Sequence, residues 1–146
     1  MSVITITGQV GAGEQLVAKK VAESLGYNLV DRPMIEELLT QYGIVEPEKL
    51  LDIPPQLFDG LSADKLTASD LLNSLYLVFA KRGNVVILSR RAFISLEPFL
   101  NVFTVFLKAV MSERIKSIMT EMHMDAKDAE AYIASEEERR RGIVKA

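Results

Sequence analysis

The glycine-rich segment after the first apolar run places the strongest constraint on how this chain folds. Residues 8–13 read Gly-Gln-Val-Gly-Ala-Gly and directly follow residues 3–7, which are β-branched and mostly apolar. Beyond the segment, apolar residues recur at helical spacing up to Gly26, a typical helix stop. A strand, a glycine-rich turn and a helix in this order form the setting in which backbone N–H groups cradle phosphate. We therefore predict an anion-binding loop over residues 8–13, at the start of the first helix.

The loop departs from the usual phosphate-binding pattern at the two positions whose side chains act on a nucleotide. In G-x-x-x-x-G-K-[ST], the Lys reaches the β- and γ-phosphates and the hydroxyl holds Mg²⁺. Here Glu14 stands at the Lys position and Gln15 at the hydroxyl position. A carboxylate about 4 Å from a phosphate oxygen costs on the order of 4 kcal/mol at an effective dielectric near 20. The candidate phosphate-binding residues are Gly8, Gly11, Ala12, Gly13, Glu14 and Gln15.

Composition sets the outer limits on what the chain can be. With 146 residues, of which 49% are hydrophobic, it is long enough for one domain with a substantial core. A formal net charge of −3 gives no general attraction to nucleic acid or anionic membranes, so neither is an expected partner. The chain contains no cysteine and a single histidine, and we predict no metal site built by the protein. With no secretory signal and no apolar stretch long enough for a bilayer, we expect a cytoplasmic location.

Short apolar runs alternate with helical patterns along the chain. Strands are predicted over residues 3–7, 27–30, 85–89 and 102–107. Helices are predicted over residues 14–25, 33–42, 68–82, 112–123 and 126–143. This alternation favours βαβ units, so we predict an α/β fold of the P-loop NTPase type, with a mainly parallel sheet of about four strands flanked by helices. The predicted caps of the last three helices are Thr67, Ser112 and Asp125.

Two further stretches have a distinctive composition. Residues 43–66 contain three prolines and two glycines, which predicts an irregular or lid-like insertion. Near the C-terminal end, the acidic residues 136–138 precede the arginines 139–141 by one helical turn. This spacing allows acid–base pairs between residues i and i+3, so a solvated helix end is one interpretation of these arginines.

Taken in order, these features resemble the cytidylate kinase-like group of nucleoside monophosphate kinases. The loop is similar to the cytidylate kinase pattern G-P-S-G-x-G-K-G-T-x-A, with matches at Gly8, Gly11, Gly13 and Ala18 and differences at Glu14 and Leu16. The other similar segments are residues 29–35, 86–91, 105–109 followed by 112–115, and 138–141. The resemblance therefore covers almost the whole chain.

The resemblance implies roles for several charged residues. Arg32 and Arg90 would bind the acceptor, and Arg90 would hold its monophosphate with a planar guanidinium. Arg139 and Arg140 would bracket the transferring phosphate, while Asp31 would orient the acceptor or a metal-bound water. In this interpretation, residues 1–146 form a single kinase-like domain that uses ATP and Mg²⁺. Residues 32–66 would be its monophosphate-binding insertion, and residues 125–146 its lid-like helical region.

Two main functional hypotheses follow, and a third is a P-loop protein that binds an unrelated anion. The first is ATP-dependent phosphoryl transfer to a nucleotide or a similar small acceptor. The second is a catalytically impaired relative that serves as a nucleotide- or anion-binding module, or as a regulatory module that binds proteins. Glu14 favours the second hypothesis, because it replaces the cation that would attract phosphate. In either case, the edge of the strand at residues 102–107 is a candidate surface for a homodimer or another partner.

Overall fold

The computed structural model describes residues 2–44, 63–89, 92–93, 96 and 101–144, and the side chains of residues 63–69 and 141–144 lie outside this description. The strands are β1 (Val3–Gly8), β2 (Asn28–Val30), β3 (Val85–Leu88) and β4 (Val102–Leu107). The helices are α1 (Glu14–Leu25), α2 (Arg32–Gln41), α3 (Ala63–Arg82), α4 (Met111–Met122) and α5 (Ala126–Val144). Within the described ranges, the strands and helices follow one another in the order that the sequence predicts.

The four strands form one parallel sheet in the order β2-β3-β1-β4. Val3 of β1 lies opposite Val85 of β3 on one side and Val102 of β4 on the other. In a parallel sheet, the carboxyl ends of all strands meet at one edge, where ligands of such folds bind. The predicted α/β architecture is confirmed, and the glycine-rich segment follows a central strand of the sheet.

Helices cover both faces of the sheet. On one face, Val3 and Ile87 pack with Ile35 and Leu39 of α2 and with Tyr76 of α3. On the opposite face, the buried side chains of the sheet and of α1 are Ile6, Val86, Ala18 and Ala22. Burial on both faces explains why the central strands read as nearly continuous apolar runs.

A third apolar cluster joins the glycine-rich segment to the last two helices. Val10, only 3% exposed, packs against Ile118 of α4 and against Ala129 and Ile133 of α5. Burying a valine side chain contributes roughly 1.5–3 kcal/mol. The loop is therefore fixed to α4 and α5 by packing as well as by its own glycines.

The predicted element boundaries agree with the structure to within one residue except at one helix. Helix α3 begins at Ala63, so Thr67 lies inside it and the predicted cap is wrong. The preceding residues include the good helix formers Ala63, Lys65 and Leu66, which extend the helix toward the N-terminus. Most of the predicted insertion at residues 43–66 lies outside the described residues.

The other two predicted caps have different outcomes. Ser112 is not the cap of α4, because the N–H groups of Glu113 and Arg114 both donate to the carbonyl of Val110 and the helix begins one residue earlier. Asp125 caps α5 as predicted, since its carboxylate accepts from the N–H of Asp128 at 2.8 Å.

Strand β4 lies at the end of the sheet order and pairs with β1 among the described strands. Phe103 and Phe106 on this strand are 68% and 49% exposed. In the described part of the chain, none of the helices combines the length and the apolar character that a membrane crossing requires.

Candidate phosphate-binding site

The glycine-rich loop lies between β1 and α1, at the carboxyl edge of the sheet. Gly11 and Gly13 adopt left-handed backbone conformations, with φ of 82° and 85°, which residues with a Cβ atom adopt only with strain. A Cβ atom on Gly11 would also lie 2.7 Å from the backbone oxygen of Arg114. These two glycines therefore allow a turn that connects β1 to α1 and packs closely against α4.

The N-terminus of α1 presents backbone donors at the end of the loop. Gly13 is the N-cap residue, no described side chain caps this helix, and Val17 makes the first intrahelical bond, to the carbonyl of Gly13 at 3.1 Å. The N–H groups of Glu14, Gln15 and Leu16 precede that bond and have no intrahelical acceptor. Together with the helix dipole, such donors attract an anion. Of the predicted phosphate-binding residues, Ala12 uses its N–H within the loop, where it donates to the carbonyl of Gln9 at 3.0 Å.

The β1 end of the loop is bound to β4 and to the residues that follow it. The N–H of Gln9 donates to the carbonyl of Leu107 at 2.9 Å. The Gln9 side chain in turn accepts from the N–H of Ala109 at 3.1 Å. These bonds continue the parallel pairing of β1 and β4 past the last strand residue and fix the point at which the loop leaves the sheet.

Arg114 of α4 and Glu137 of α5 both bind the peptide groups of Val10. The Nε of Arg114 donates to the carbonyl of Val10 at 2.8 Å, and its Nη2 donates to the carboxylate of Glu137. The same carboxylate oxygen accepts from the N–H of Val10 at 3.3 Å. The side chain of Arg114 is 6% exposed and that of Glu137 is 31% exposed. A buried guanidinium is costly unless a carboxylate and further acceptors satisfy it, and here Glu137 and the loop carbonyl do so.

Arg140 of α5 lies against the loop beside Glu14. Its Nη1 donates to the carbonyl of Gly8 at 3.4 Å and lies 3.9 Å from a carboxylate oxygen of Glu14. Burial lowers the pKa of Arg140 from its usual value, and the negative charge of Glu14 acts in the opposite direction. The carboxylate of Glu14 therefore lies beside α5. There the guanidinium of Arg140 partly neutralises the negative charge of Glu14, which would otherwise repel a phosphate bound at the loop.

The arginines near the end of α5 also pair within their own helix. Arg139 donates to the carboxylate of Glu136 at 2.8 Å, which confirms the predicted pairing between residues i and i+3. The Nε of Arg140 is buried, lies 3.7 Å from the same carboxylate, and has no hydrogen-bond partner among the described residues. The interpretation of these arginines as a solvated helix end therefore holds in part for Arg139 but not for Arg140.

Two of the predicted site residues, Asp31 and Arg32, lie away from the loop. Asp31 caps α2, where its carboxylate accepts from the N–H of Met34 at 3.1 Å. Arg32 is 45% exposed and pairs with Glu36 at 2.7 Å. Both follow β2, which β3 separates from β1 in the sheet. Arg90 lies outside the described residues.

Sequence reasoning missed the roles of Gln9, Arg114 and Glu137. One signal for Arg114 is its position four residues before the apolar Ile118, which places both residues on the same side of α4. In the structure both side chains are buried. An arginine on the apolar side of an amphipathic helix usually has a fixed partner. Nothing in the sequence distinguishes Glu137 from its acidic neighbours Glu136 and Glu138, because their contacts depend on how α5 crosses the loop.

The donor set suits phosphate better than it suits a metal ion. Uncapped helix N–H groups and the Arg140 cation fit an anion. For Mg²⁺, Gln15 offers an amide oxygen where the pattern has a hydroxyl, while the carboxylates of Glu14 and Glu137 are next to arginines. No group of three or more His, Cys, Asp or Glu side chains suited to a metal ion occurs among the described residues.

The sequence matches the cytidylate kinase-like family over residues 3–146. The chain belongs to this family. The cytidylate kinase of Ignicoccus hospitalis is 30% identical over an alignment of 141 residues, and the match covers 94% of this chain and 75% of that protein. Membership thus confirms the resemblance drawn from the loop and from the segments that follow it.

Solved structures show the same architecture. An uncharacterized protein from Eubacterium ventriosum superposes with a TM-score of 0.71 at 19% identity, over 96% of this chain and 73% of that one. Shikimate kinase from Bacteroides thetaiotaomicron gives a TM-score of 0.58 at 17% identity, over 99% of this chain and 82% of that one. At these identities the likeness concerns the fold, which is that of the P-loop kinases.

Proposed function

We propose that this protein is a nucleotide kinase-like phosphotransferase that transfers the γ-phosphoryl group of ATP to a nucleotide or a similar small acceptor. The observation that carries the proposal is the position of Arg140, whose guanidinium lies against the loop beside Glu14. Phosphoryl transfer depends mainly on positioned phosphates and on cations that neutralise the transferring charge. Membership of the cytidylate kinase-like family supports the same reaction class.

In the proposed reaction, the loop binds ATP through backbone groups and Arg140 acts in place of the loop lysine. The N–H groups of residues 13–16 would hold phosphate oxygens at the start of α1. Arg140 lies 3.9 Å from Glu14, so it would offset the repulsion between that carboxylate and a bound phosphate. A phosphate about 4 Å from Glu14 would repel it over nearly the same distance, so the two interactions would be of similar size and both weakened by solvent.

The remaining predicted roles complete the proposal. Arg139 would assist Arg140 at the transferring phosphate, and Arg32 and Arg90 would bind the acceptor. Asp31 would orient the acceptor or a water, in addition to capping α2. Residues 32–66 would serve as the acceptor-binding insertion and residues 125–146 as the lid. Because the loop lacks a hydroxyl ligand, Mg²⁺ would arrive bound to the phosphates of ATP. Its charge would lower the negative charge of those phosphates.

The expected setting of the protein follows from the same proposal. Its partners would be small phosphate-bearing ligands rather than nucleic acid, because the net charge is −3. We expect the protein to act in the cytoplasm, where ATP is abundant. A homodimer through the exposed edge of β4 is a further expectation, based on the exposure of Phe103 and Phe106.

A second candidate is a phosphate-binding or regulatory module that does not transfer phosphate. Glu14 at the lysine position favours it, as do Gln15 and the 59% exposed Leu16, neither of which can place a hydroxyl on Mg²⁺. The backbone donors of the loop do not depend on these side chains. Such a module would therefore still bind nucleotide, and the two candidates differ in transfer rather than in binding.

Two measurements separate the two candidates. The first is calorimetry with ATP, with and without Mg²⁺, and the second is a transfer assay on nucleoside monophosphates. The kinase proposal expects binding and turnover, both weakened at least tenfold by Arg140→Ala, which is about 1.4 kcal/mol in binding. Lys127→Ala removes an exposed positive charge from the same helix and should leave both unchanged. Binding without transfer to any monophosphate would favour the second candidate. Absence of ATP binding at millimolar concentrations would refute the kinase proposal and the nucleotide-binding form of the second candidate.

A further inference from the structure

The carboxylate of Glu137 sits where a ligand anion would sit. It accepts a hydrogen bond from the N–H of Val10 in the glycine-rich loop, at 3.3 Å. It also accepts from the Nη2 of Arg114, whose side chain is only 6% exposed. A backbone N–H and a buried guanidinium that converge on one oxygen form an anion subsite, and a protein side chain fills it here.

We propose that Glu137 is an internal ligand of a phosphate subsite formed by the Val10 N–H and Arg114, and that a phosphate group binds there by displacing it. This inference rests on the proposed phosphate-binding role of the loop. The shared chemistry is a tetrahedral phosphate, whether it belongs to a nucleotide or is free in solution.

The burial of the two partners explains why the carboxylate is the part that exchanges. Arg114 is fixed, because its Nε also donates to the carbonyl of Val10 and its side chain is buried. Glu137 is 31% exposed, so its carboxylate can reach water without unfolding of the core. A phosphate carries more charge and more acceptor oxygens than a carboxylate, and it binds the same planar guanidinium.

Packing limits the displacement to the C-terminal half of α5. Ala129 and Ile133 of this helix are buried against Val10 and Ile118, so the first turns stay attached to the loop and to α4. Glu137 and Arg140 follow one and two turns later, and their contacts with the loop are polar. When phosphate takes the subsite, this second half of α5 loses a contact that holds it on the loop. Glu137 therefore acts as an autoinhibitory contact that phosphate must compete with.

The first test compares Glu137→Gln with Glu130→Gln. Glutamine has nearly the shape of glutamate but lacks its charge, so it competes less well for Arg114 and preserves the packing. We expect Glu137→Gln to bind pyrophosphate and ATP at least tenfold more tightly than the wild-type protein in calorimetry. Glu130 is an exposed acid on the same helix, away from the loop contacts, and Glu130→Gln should leave both affinities unchanged. A gain with ATP alone would assign the subsite to a nucleotide phosphate, and a gain with both ligands would assign it to phosphate in general.

The outcomes separate this inference from the proposed function. If the wild-type protein binds ATP and Glu137→Gln binds it no more tightly, the subsite proposal is wrong and the phosphate-binding role of the loop stands. If neither protein binds ATP or pyrophosphate while both unfold cooperatively on heating, both proposals are wrong.

A second measurement uses the wild-type protein alone, so it does not depend on how a variant folds. Saturating pyrophosphate should speed hydrogen exchange of the α5 backbone amides after Ile133 and leave those of residues 126–133 unchanged. Unchanged or slower exchange after Ile133 in the ligand-bound protein would overturn the displacement of Glu137.

Discussion

The two ends of the glycine-rich loop differ in how the protein uses their peptide groups. At the β1 end, the peptide groups of residues 8–10 form hydrogen bonds with β4, α4 and α5. At the α1 end, by contrast, the N–H groups of residues 14–16 precede the first intrahelical bond, and no described side chain caps them. The side chains differ in the same way. Val10 is 3% exposed and Leu16 is 59% exposed. One short segment therefore contains a part built into the core and a part directed to solvent.

This difference distinguishes the contacts that fix the loop in place from the N–H donors that the loop presents to a ligand. Contacts at the β1 end fix the backbone before any ligand arrives, so little ordering entropy is lost on binding, and of these contacts only the bond between Val10 and Glu137 is inferred to exchange with phosphate. Donors at the α1 end stay available because no described side chain caps them. Substitutions in the first part should therefore lower the free energy of unfolding, and substitutions in the second should act mainly on ligand affinity.

The largest expected effect is that of Arg114→Ala. The substitution leaves the carboxylate of Glu137 and the carbonyl of Val10 without their shared buried donor. Removing one partner of a buried ion pair costs about 3–5 kcal/mol in the free energy of unfolding. Urea denaturation would measure this loss, and Lys116→Ala on the exposed side of the same helix should change stability by no more than about 0.5 kcal/mol. Equal effects of the two substitutions would mean that α4 does not anchor the loop.

Next in size is the contrast between Gly11→Ala and Gly13→Ala. Both glycines have left-handed φ angles, so each new Cβ costs about 1–2 kcal/mol in backbone strain. On Gly11 the Cβ would also lie 2.7 Å from the backbone oxygen of Arg114, while on Gly13 it meets no atom within 4 Å. We expect a loss of about 3 kcal/mol for Gly11→Ala and about 1 kcal/mol for Gly13→Ala in denaturant unfolding. A reversed order would contradict the close approach of the loop to α4.

A smaller contrast compares Val10→Ala with Leu16→Ala. Val10 fills a space between α4 and α5, so truncation leaves a cavity and should cost about 2 kcal/mol of unfolding free energy. Leu16 is exposed, and its truncation should change stability by less than about 0.5 kcal/mol. Thermal unfolding of both variants measures the difference. A large loss for Leu16→Ala would show that the α1 end is buried in solution, contrary to the comparison.

A feature of this site can be predicted from the sequence when residues close together in the chain determine it. The loop and α1 follow from patterns within about 25 consecutive residues, such as the three glycines at 8, 11 and 13. The parallel sheet follows from the succession of short apolar runs and helical patterns, each of which is itself a local signal, and the structure agrees. The contacts of Val10 join residues more than 100 positions apart, and no periodicity encodes them. The side chain of Glu14 shows the same limit. Sequence identifies the acid, but its neighbour Arg140 appears only when α5 crosses the loop.

The smallest expected effect is the coupling between Glu14 and Arg140, which lies on the boundary between the two parts of the loop. Their charged atoms are 3.9 Å apart and both side chains are about one fifth exposed, so solvent weakens the attraction. A double-mutant cycle with Glu14→Gln and Arg140→Gln should give a coupling of about 0.5–1 kcal/mol in unfolding free energy. In ATP titrations the same pair should behave asymmetrically, because Glu14→Gln removes a charge that repels phosphate whereas Arg140→Gln removes one that attracts it. We therefore expect tighter binding for the first variant and weaker binding for the second. Parallel changes in affinity would mean that the pair acts only by holding α5 in place, and that neither charge faces the phosphate.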